Sequence, residues 1–437
     1  MISRKKFLGL SALGTVGLTQ IACVAKDPGE QSDQKQSDLP PSIAALSSMK
    51  DRVRPITNDE RKKRIEKAKR LMSDNKMDAI VIMGGSTLEY FSGIQWGISE
   101  RMLALVIPQK KDPFIVCPYF EESRAMEQIK ESPLADLKTI LTWMEHESPY
   151  QQVIKGLKDR GLASGTIGIE EQVRYVFSNG IDKAGAGSLK LISATPVTAG
   201  CRGVKDEHEI ELMKLASEAT FKAYEAAYKA AKVGMSQSEF SKLIAVAHQK
   251  LGFQGYASVQ VGKWAALPHG SRTPQKIEED QVVLIDGGCR VEGYWSDLSR
   301  TFVLGTPAEK VKEAFRIDLE AQTAAFKTAK PGIQAQEVDA AARKVIVDAG
   351  YGPDYKYFTH RLGHGIGLDM HEWPYLVKGN TTILKPGHTF SNEPGIYVPG
   401  EFGVRVEDDI VITDHGAEFL SPQSPSLEDP FGPAPSL

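Results

Sequence analysis

The chain has 437 residues, 41% hydrophobic and 25% charged, ordinary globular proportions that exclude a collagen-like repeat and wholesale disorder. Its 53 Lys and Arg stand against 56 Asp and Glu, a formal net charge of -3, which offers no broad positive field to a nucleic acid or an acidic membrane. The four cysteines, at positions 23, 117, 201 and 289, are too scattered for a disulfide scaffold or a Cys-x-x-Cys zinc site, so a bound metal has to take carboxylates and imidazoles.

The first 22 residues are expected to be a signal peptide: basic Ser3-Arg4-Lys5-Lys6, an apolar run from Phe7 to Leu18, then Ile21-Ala22-Cys23, with a core too short for a permanent span. Ser3 to Leu8 resembles the twin-arginine export pattern with Lys5 in place of the second arginine, and Ile21-Ala22-Cys23 resembles a bacterial lipobox with Gln20 where leucine is preferred. This implies an exported, periplasmic or cell-envelope protein with a lipid on Cys23. Residues 23–50 then read as a polar tether with too little apolar surface to fold.

The body is expected to begin at residue 51. Thr57-Asn58-Asp59-Glu60 has capping-box spacing and predicts a helix to about Ser73. Apolar runs at Ala79–Met83, Leu103–Ile107, Phe114–Cys117 and Thr166–Ile169 predict strands, giving an α/β domain over 51–200. His146 and Cys117 stand alone there and are expected to be structural. Asp206, with Glu209 three residues on, predicts a second capped helix to about Ala231, followed by helices at Ser236–Leu251, Glu309–Ala329 and Ala335–Ala349. Mixed with β-type runs, these predict an α/β (α+β) catalytic domain over 201–425, with 426–437 a loose tail.

Four segments carry chemistry. The runs flanking Glu292-Gly293 predict a hairpin; with those two residues as the loop, paired positions sum to 585 and Asp286 lies opposite Ser299. Asp286 and Asp297 then project from one face as diagonal neighbours, roughly 7–8 Å apart at the backbone, close enough to converge on a metal pair. His364 stands between Gly363 and Gly365, which remove bulk where backbones approach closely. Glu393 ends an apolar strand before Pro394-Gly395, and Arg405 and Glu407 alternate onto one strand face. Four carboxylates and one imidazole form a hard ligand set suited to manganese, cobalt, iron or zinc. Cys289, beside this set, is expected to be structural.

The order Asp286, Asp297, His364, Glu393, Glu407, with Leu267-Pro268-His269-Gly270 before it and His371-Glu372-Trp373-Pro374 after the histidine, resembles the pita-bread metallopeptidases, and within them prolidase and aminopeptidase P. The resemblance spans about residues 200–415; ahead of it, residues 51–200 match the creatinase/prolidase N-terminal domain in layout only. It implies a dinuclear centre on those five residues, manganese foremost, with Asp297 and Glu407 bridging and a bridging hydroxide as nucleophile. It also implies that His269 and His371 bind the substrate and the tetrahedral intermediate, that Glu393 shuttles a proton, and that Arg405 holds the carboxylates. The expected activity is hydrolysis of the bond before proline in Xaa-Pro peptides, by a dipeptidase or an aminopeptidase, in a homodimer or homotetramer. The intact ligand set sets the chain apart from metal-free creatinase, and its large N-terminal domain from methionine aminopeptidase. An exported peptide-binding protein on the same fold and a side activity on organophosphorus esters are the alternative readings.

Overall fold

The computed structural model describes residues 39–137 and 140–433; the expected signal peptide, Cys23 and most of the expected tether lie outside the described residues. Among the described residues, no helix is long and apolar enough to cross a membrane.

The N-terminal domain is a six-stranded mixed sheet in the order Ile140–Trp143, Phe114–Pro118, Ala104–Pro108, Ala79–Met83, Gly165–Ile169, Leu189–Ser193. Its four inner strands are the four expected from the apolar runs. The two outer strands were not expected: Ile140–Trp143 alternates partly and fully buried positions, and Leu189–Ser193 buries only its first residue, so neither has a continuous apolar run. The helix Asn58–Asp74 starts with the expected capping box, Thr57 accepting from the Glu60 backbone while the Glu60 side chain accepts from Thr57.

In the catalytic domain, strand Leu298–Val303 pairs with Val282–Gly287 in the predicted register, Ser299 opposite Asp286. Glu292 and Gly293, at φ 48° and 87°, form the turn, a left-handed geometry that favours glycine at the second place. Side chains alternate along Val282–Gly287: Val283 and Ile285 enter a core with Tyr224, Phe240 and Ile244 of the helices Glu207–Tyr228 and Gln237–Leu251. Val282 and Leu284 enter the other core, with Ala314, Ala321 and Val338 of the helices Glu309–Thr328 and Ala335–Ile346. Asp286 continues the second row and therefore faces the second half of the domain.

That half is a five-stranded sheet in the order Glu372–Leu376, Gly363–Gly365, Thr389–Asn392, Asp408–Ile412, Ala417–Phe419. A single antiparallel bridge between Ser299 and Glu407 joins the two halves where the carboxylates gather.

Two expected boundaries are corrected. Residues 40–50 are not tether but part of the body: Ile43 and Met49 are buried, the Ser42 hydroxyl donates to the Ala226 carbonyl (2.7 Å), and the Met49 amide donates to Leu251 (2.8 Å). The tail is not loose from 426: Leu427 is buried, its carbonyl accepts from Val303 (3.1 Å), and Phe431 packs edge-on against Phe221. In both stretches a few apolar anchors do the work inside a polar or Pro-rich composition.

Two buried histidines give the fold an acid limit. Burial pushes His248 down to about 4; its ring bonds the Ile244 carbonyl (2.9 Å) and Thr220 (3.3 Å). Burial, then Lys205 and Lys385, push His388 down to about 4. A histidine with a depressed folded pKa contributes stability that is present above the unfolded value of about 6.5 and lost as pH falls toward 4, up to roughly 3 kcal/mol each. The urea midpoint is expected to hold above pH 6.5 and fall below it, and His248→Gln with His388→Gln to flatten that fall; a midpoint insensitive to both variants would refute the assignment.

Candidate metal centre

The five expected ligands converge. Ligand atoms of Asp286, Asp297 and Glu407, of His364, Glu393 and Glu407, and of Asp297, His364 and His371 form three overlapping groups, each with its atoms within 4.8 Å of one another. Local sequence explains how each side chain arrives. Asp286 and Asp297 come from the hairpin strands, which is the diagonal pairing expected. His364 sits mid-strand where its neighbours have to be glycine: a Cβ at Gly363 would lie 1.9 Å from the Ser391 carbonyl oxygen, and one at Gly365 2.1 Å from the Trp373 backbone. Glu393 follows strand Thr389–Asn392 directly.

Arg405 and Glu407 reach the site differently from the expectation. Strand Phe402–Arg405 ends at Arg405, and Glu407 lies in the crossing before the next strand, so the two do not share one strand face. They still meet through Ser299: Arg405 Nε donates to Ser299 Oγ (2.9 Å), which donates to Glu407 Oε2 (2.5 Å). Arg405 also pairs with Asp286 (2.8 Å) and donates to the Tyr397 hydroxyl (3.0 Å). Thr301 fixes the Arg405 backbone in both directions.

His371 stands beside His364, ring centroids 3.8 Å apart, and is exposed. Burial, then the charge of His364, lower its pKa, which favours a neutral ring. His269 follows the helical turn Gly262–Ala266 and is also exposed, outside the ligand groups. The carbonyl of neighbouring Pro268 accepts from Arg405 Nη1 (3.2 Å). The structure thus places both expected substrate histidines at the rim and the ligands within.

The electrostatics are those of a site short of positive charge. Burial, then Asp286, push Asp297 well above the carboxylate range, and burial, then Asp297, do the same to Glu407. Burial raises Asp409 to about 7, although its carboxylate accepts from the Asp297 amide (2.9 Å). For Glu393, burial is outweighed by the hydrogen bond and charge of His364, which hold it low. Asp297 Oδ1 is buried with no hydrogen-bond partner among the described residues. A buried carboxylate oxygen without a partner is costly, and an oxygen-rich set with imidazole fits hard or borderline divalent cations. The residues therefore fit the metal their chemistry implies.

Sequence reasoning missed the hydroxyls and acids that orient the ligands. Ser391 receives the His364 amide (3.0 Å) and donates to Glu393 (3.0 Å), and His360 Nε2 bonds the Tyr397 hydroxyl (2.8 Å). The predicted pairing already placed Ser299 opposite Asp286, so its role was within reach. Cys117, Cys201 and Cys289 are buried thiols, raised to about 12, 12 and 11 chiefly by burial.

Residues 211–414 match metallopeptidase family M24, and residues 64–204 match the creatinase/prolidase N-terminal domain. An Xaa-Pro dipeptidase of Lactobacillus helveticus is 34% identical over 365 residues, 80% of this chain and 95% of that protein. Among solved structures, dipeptidase PepE of Mycobacterium ulcerans superposes with a TM-score of 0.79 at 32% identity, covering 86% of this chain and 99% of its own. A dipeptidase of Pyrococcus horikoshii gives 0.73 at 34%, covering 82% and 97%.

Proposed function

This chain belongs to metallopeptidase family M24, and on that premise we propose that it is a metal-dependent Xaa-Pro dipeptidase. The observation that carries the reading is the convergence of Asp286, Asp297, His364, Glu393 and Glu407 in overlapping ligand groups, three of the five buried and two partly so, with the exposed His371 beside them. The sequence likeness to an Xaa-Pro dipeptidase over nearly that protein's whole length supports the substrate class.

Those five residues would hold two divalent cations, which when bound supply a Lewis acid for the scissile carbonyl and a water nucleophilic at neutral pH. The remaining work falls to the protein. The bond before proline is a tertiary amide, so its leaving nitrogen carries no hydrogen and has to receive a proton. Glu393, aligned by Ser391, is placed to take the proton of the attacking water and return it to that nitrogen. His371, with its neutral ring favoured, is placed to donate to the oxyanion as the carbonyl becomes tetrahedral. His269, exposed on the loop after Gly262–Ala266, would hold the substrate's free carboxylate end. Arg405 acts through Ser299 to keep Asp286 and Glu407 in one geometry.

The test is hydrolysis by protein stripped of metal and reloaded with manganese, cobalt, zinc or iron, assayed on Ala-Pro and Ala-Pro-Ala with metal content measured in parallel. Ala-Pro is expected to turn over only in the loaded protein, with two metals per chain at full rate. No hydrolysis of either peptide sinks the proposal, and a preference for Ala-Pro-Ala converts it to an aminopeptidase.

The reading extends to placement and assembly. A lipid on Cys23 would tether the enzyme to the cell envelope after export, and Cys23→Ala is expected to move it from the membrane to the soluble fraction. Equal membrane recovery would remove the anchor. A dimer or tetramer is expected in sedimentation at micromolar concentration.

A further inference from the structure

His371 is a rim residue with a buried neighbour. Glu372, next in the chain, is 2% exposed, whereas His371 is exposed and its ring lies tilted against that of His364. Glu372 opens the strand Glu372–Leu376 and His371 lies in the bend immediately before it, so whatever grips Glu372 fixes the backbone that carries the His371 ring.

Glu372 is gripped from outside the catalytic strands. Lys205 Nζ donates to its Oε1 (2.5 Å), and Arg202 Nη2 donates to its Oε2. Arg202, 2% exposed at the end of the helix Thr195–Arg202, also donates to Asp369 Oδ2 (2.8 Å) and, through Nη1, to Thr87 Oγ1 (2.9 Å). Asp369 accepts two more bonds from the N-terminal domain, from the Ser86 hydroxyl and from Gln172 Nε2 (3.1 Å). Arg202 thus ties Asp369 and Glu372, the two ends of the segment 369–372, to the N-terminal domain and its connecting helix, and Lys205, three residues past that helix, holds Glu372 from its other oxygen. Packing at the segment's start is equally tight: a Cβ on Gly367 would lie 2.6 Å from Glu372 Oε1 and 2.8 Å from Lys205 Cε. The Gly367 carbonyl takes the Trp295 amide (2.8 Å), two residues before Asp297.

We propose that Arg202 is a positioning residue for His371: through Asp369 and Glu372 it makes the N-terminal domain a working part of the hydrolytic site. This rests on the peptidase reading, in which His371 acts on the developing oxyanion. It assigns a catalytic purpose to a domain that holds none of the metal ligands, and explains why a fully buried arginine is spent on a segment of a different domain. A geometric error of about 1 Å at a catalytic group costs on the order of 100-fold in rate.

The test is a cycle on the metal-loaded enzyme with Ala-Pro. Arg202→Met is expected to keep its metal, to lower kcat by about 10- to 100-fold with KM within threefold, and to raise deuterium uptake in the peptide spanning 366–372. Arg202→Lys, which keeps the charge and one donor direction, is expected to recover part of kcat. In a His371→Ala background, Arg202→Met is expected to add less than about twofold, because the residue it positions is gone. A full multiplicative loss in that background, an unchanged kcat, or unchanged uptake over 366–372 would overturn the proposal. If Arg202→Met fails to fold, the pair Ser86→Ala and Gln172→Ala, which frees Asp369 from its more exposed side, carries the same measurements. If wild-type enzyme cleaves no Xaa-Pro peptide, the substrate reading falls by itself, and the deuterium uptake decides whether the network holds the segment.

Discussion

Asp297→Asn is expected to lower kcat/KM on Ala-Pro by at least about 1000-fold, equivalent to roughly 4 kcal/mol of transition-state stabilisation, and at the same time to make the metal-stripped protein harder to unfold. The two effects share one cause. Asp297 is buried, one of its oxygens has no partner among the described residues, and burial with Asp286 pushes its pKa well above the usual range. Without cations the carboxylate is an uncompensated group, and replacing it relieves about 1–2 kcal/mol. With cations bound it would be a ligand, and the same replacement would remove an oxygen that the metal requires. Metal binding stabilises the wild type by about 4 kcal/mol at a thousandfold excess over Kd. Melting of both proteins in chelator and in manganese should therefore cross: the variant higher when stripped, the wild type higher when loaded. If the variant retains full metal content and melts like the wild type in both, Asp297 is not a ligand.

Arg300→Met is expected to have the largest effect on stability, about 3–5 kcal/mol, without altering any of the five expected ligand side chains. Arg300 is completely buried in the middle of strand Leu298–Val303. Its Nη1 donates to the backbone carbonyls of Ser299 (2.9 Å) and Glu407 (2.8 Å), and its Nη2 to Asp408 Oδ1 (2.7 Å) and the Pro422 carbonyl (2.6 Å). Removing the guanidinium takes the counter-charge from the buried Asp408 carboxylate and a donor from three carbonyls, of which those of Ser299 and Glu407 keep the amides of their bridge. Asp408 keeps bonds from Ser421 (2.6 Å) and Gln322 (3.0 Å), so Asp408→Asn alone is expected to cost less. The double variant should lose less than the sum of the two, since each single variant leaves the other charge unpaired. Strict additivity in urea unfolding would mean the pair is not coupled.

These two residues also mark where sequence reasoning reached and where it stopped. Asp297 was legible because a hairpin with Glu292-Gly293 at its tip has only one register, and that register puts Ser299 opposite Asp286. The caps at Thr57 and Asp206 were equally local, and both form. Arg300 and Asp408 were not legible. A charge inside an alternating strand reads as solvent-facing until the second sheet is laid over it, and its partner lies 108 residues away. The grip of Arg202 on Asp369 and Glu372 escaped for the same reason. Neither the unexpected outer strands nor residues 40–50 carry a periodic pattern of their own; they are held by neighbours that the local sequence does not name.

The docking of residues 40–52, anchored by the buried Ile43 and Met49, has a consequence for how the chain assembles itself. These residues are made before the N-terminal domain, yet they bind catalytic helices made long afterwards: Ser42 reaches Ala226, 184 positions on, and Arg52 pairs with Glu218, 166 positions on. The N-terminal sheet can close on contacts among its own strands as it leaves the ribosome, whereas this leading segment has nothing to dock on until Glu207–Tyr228 and Gln237–Leu251 have emerged. The first described residues to be synthesised are thus among the last to be placed, and they close the fold by strapping its beginning onto its catalytic half.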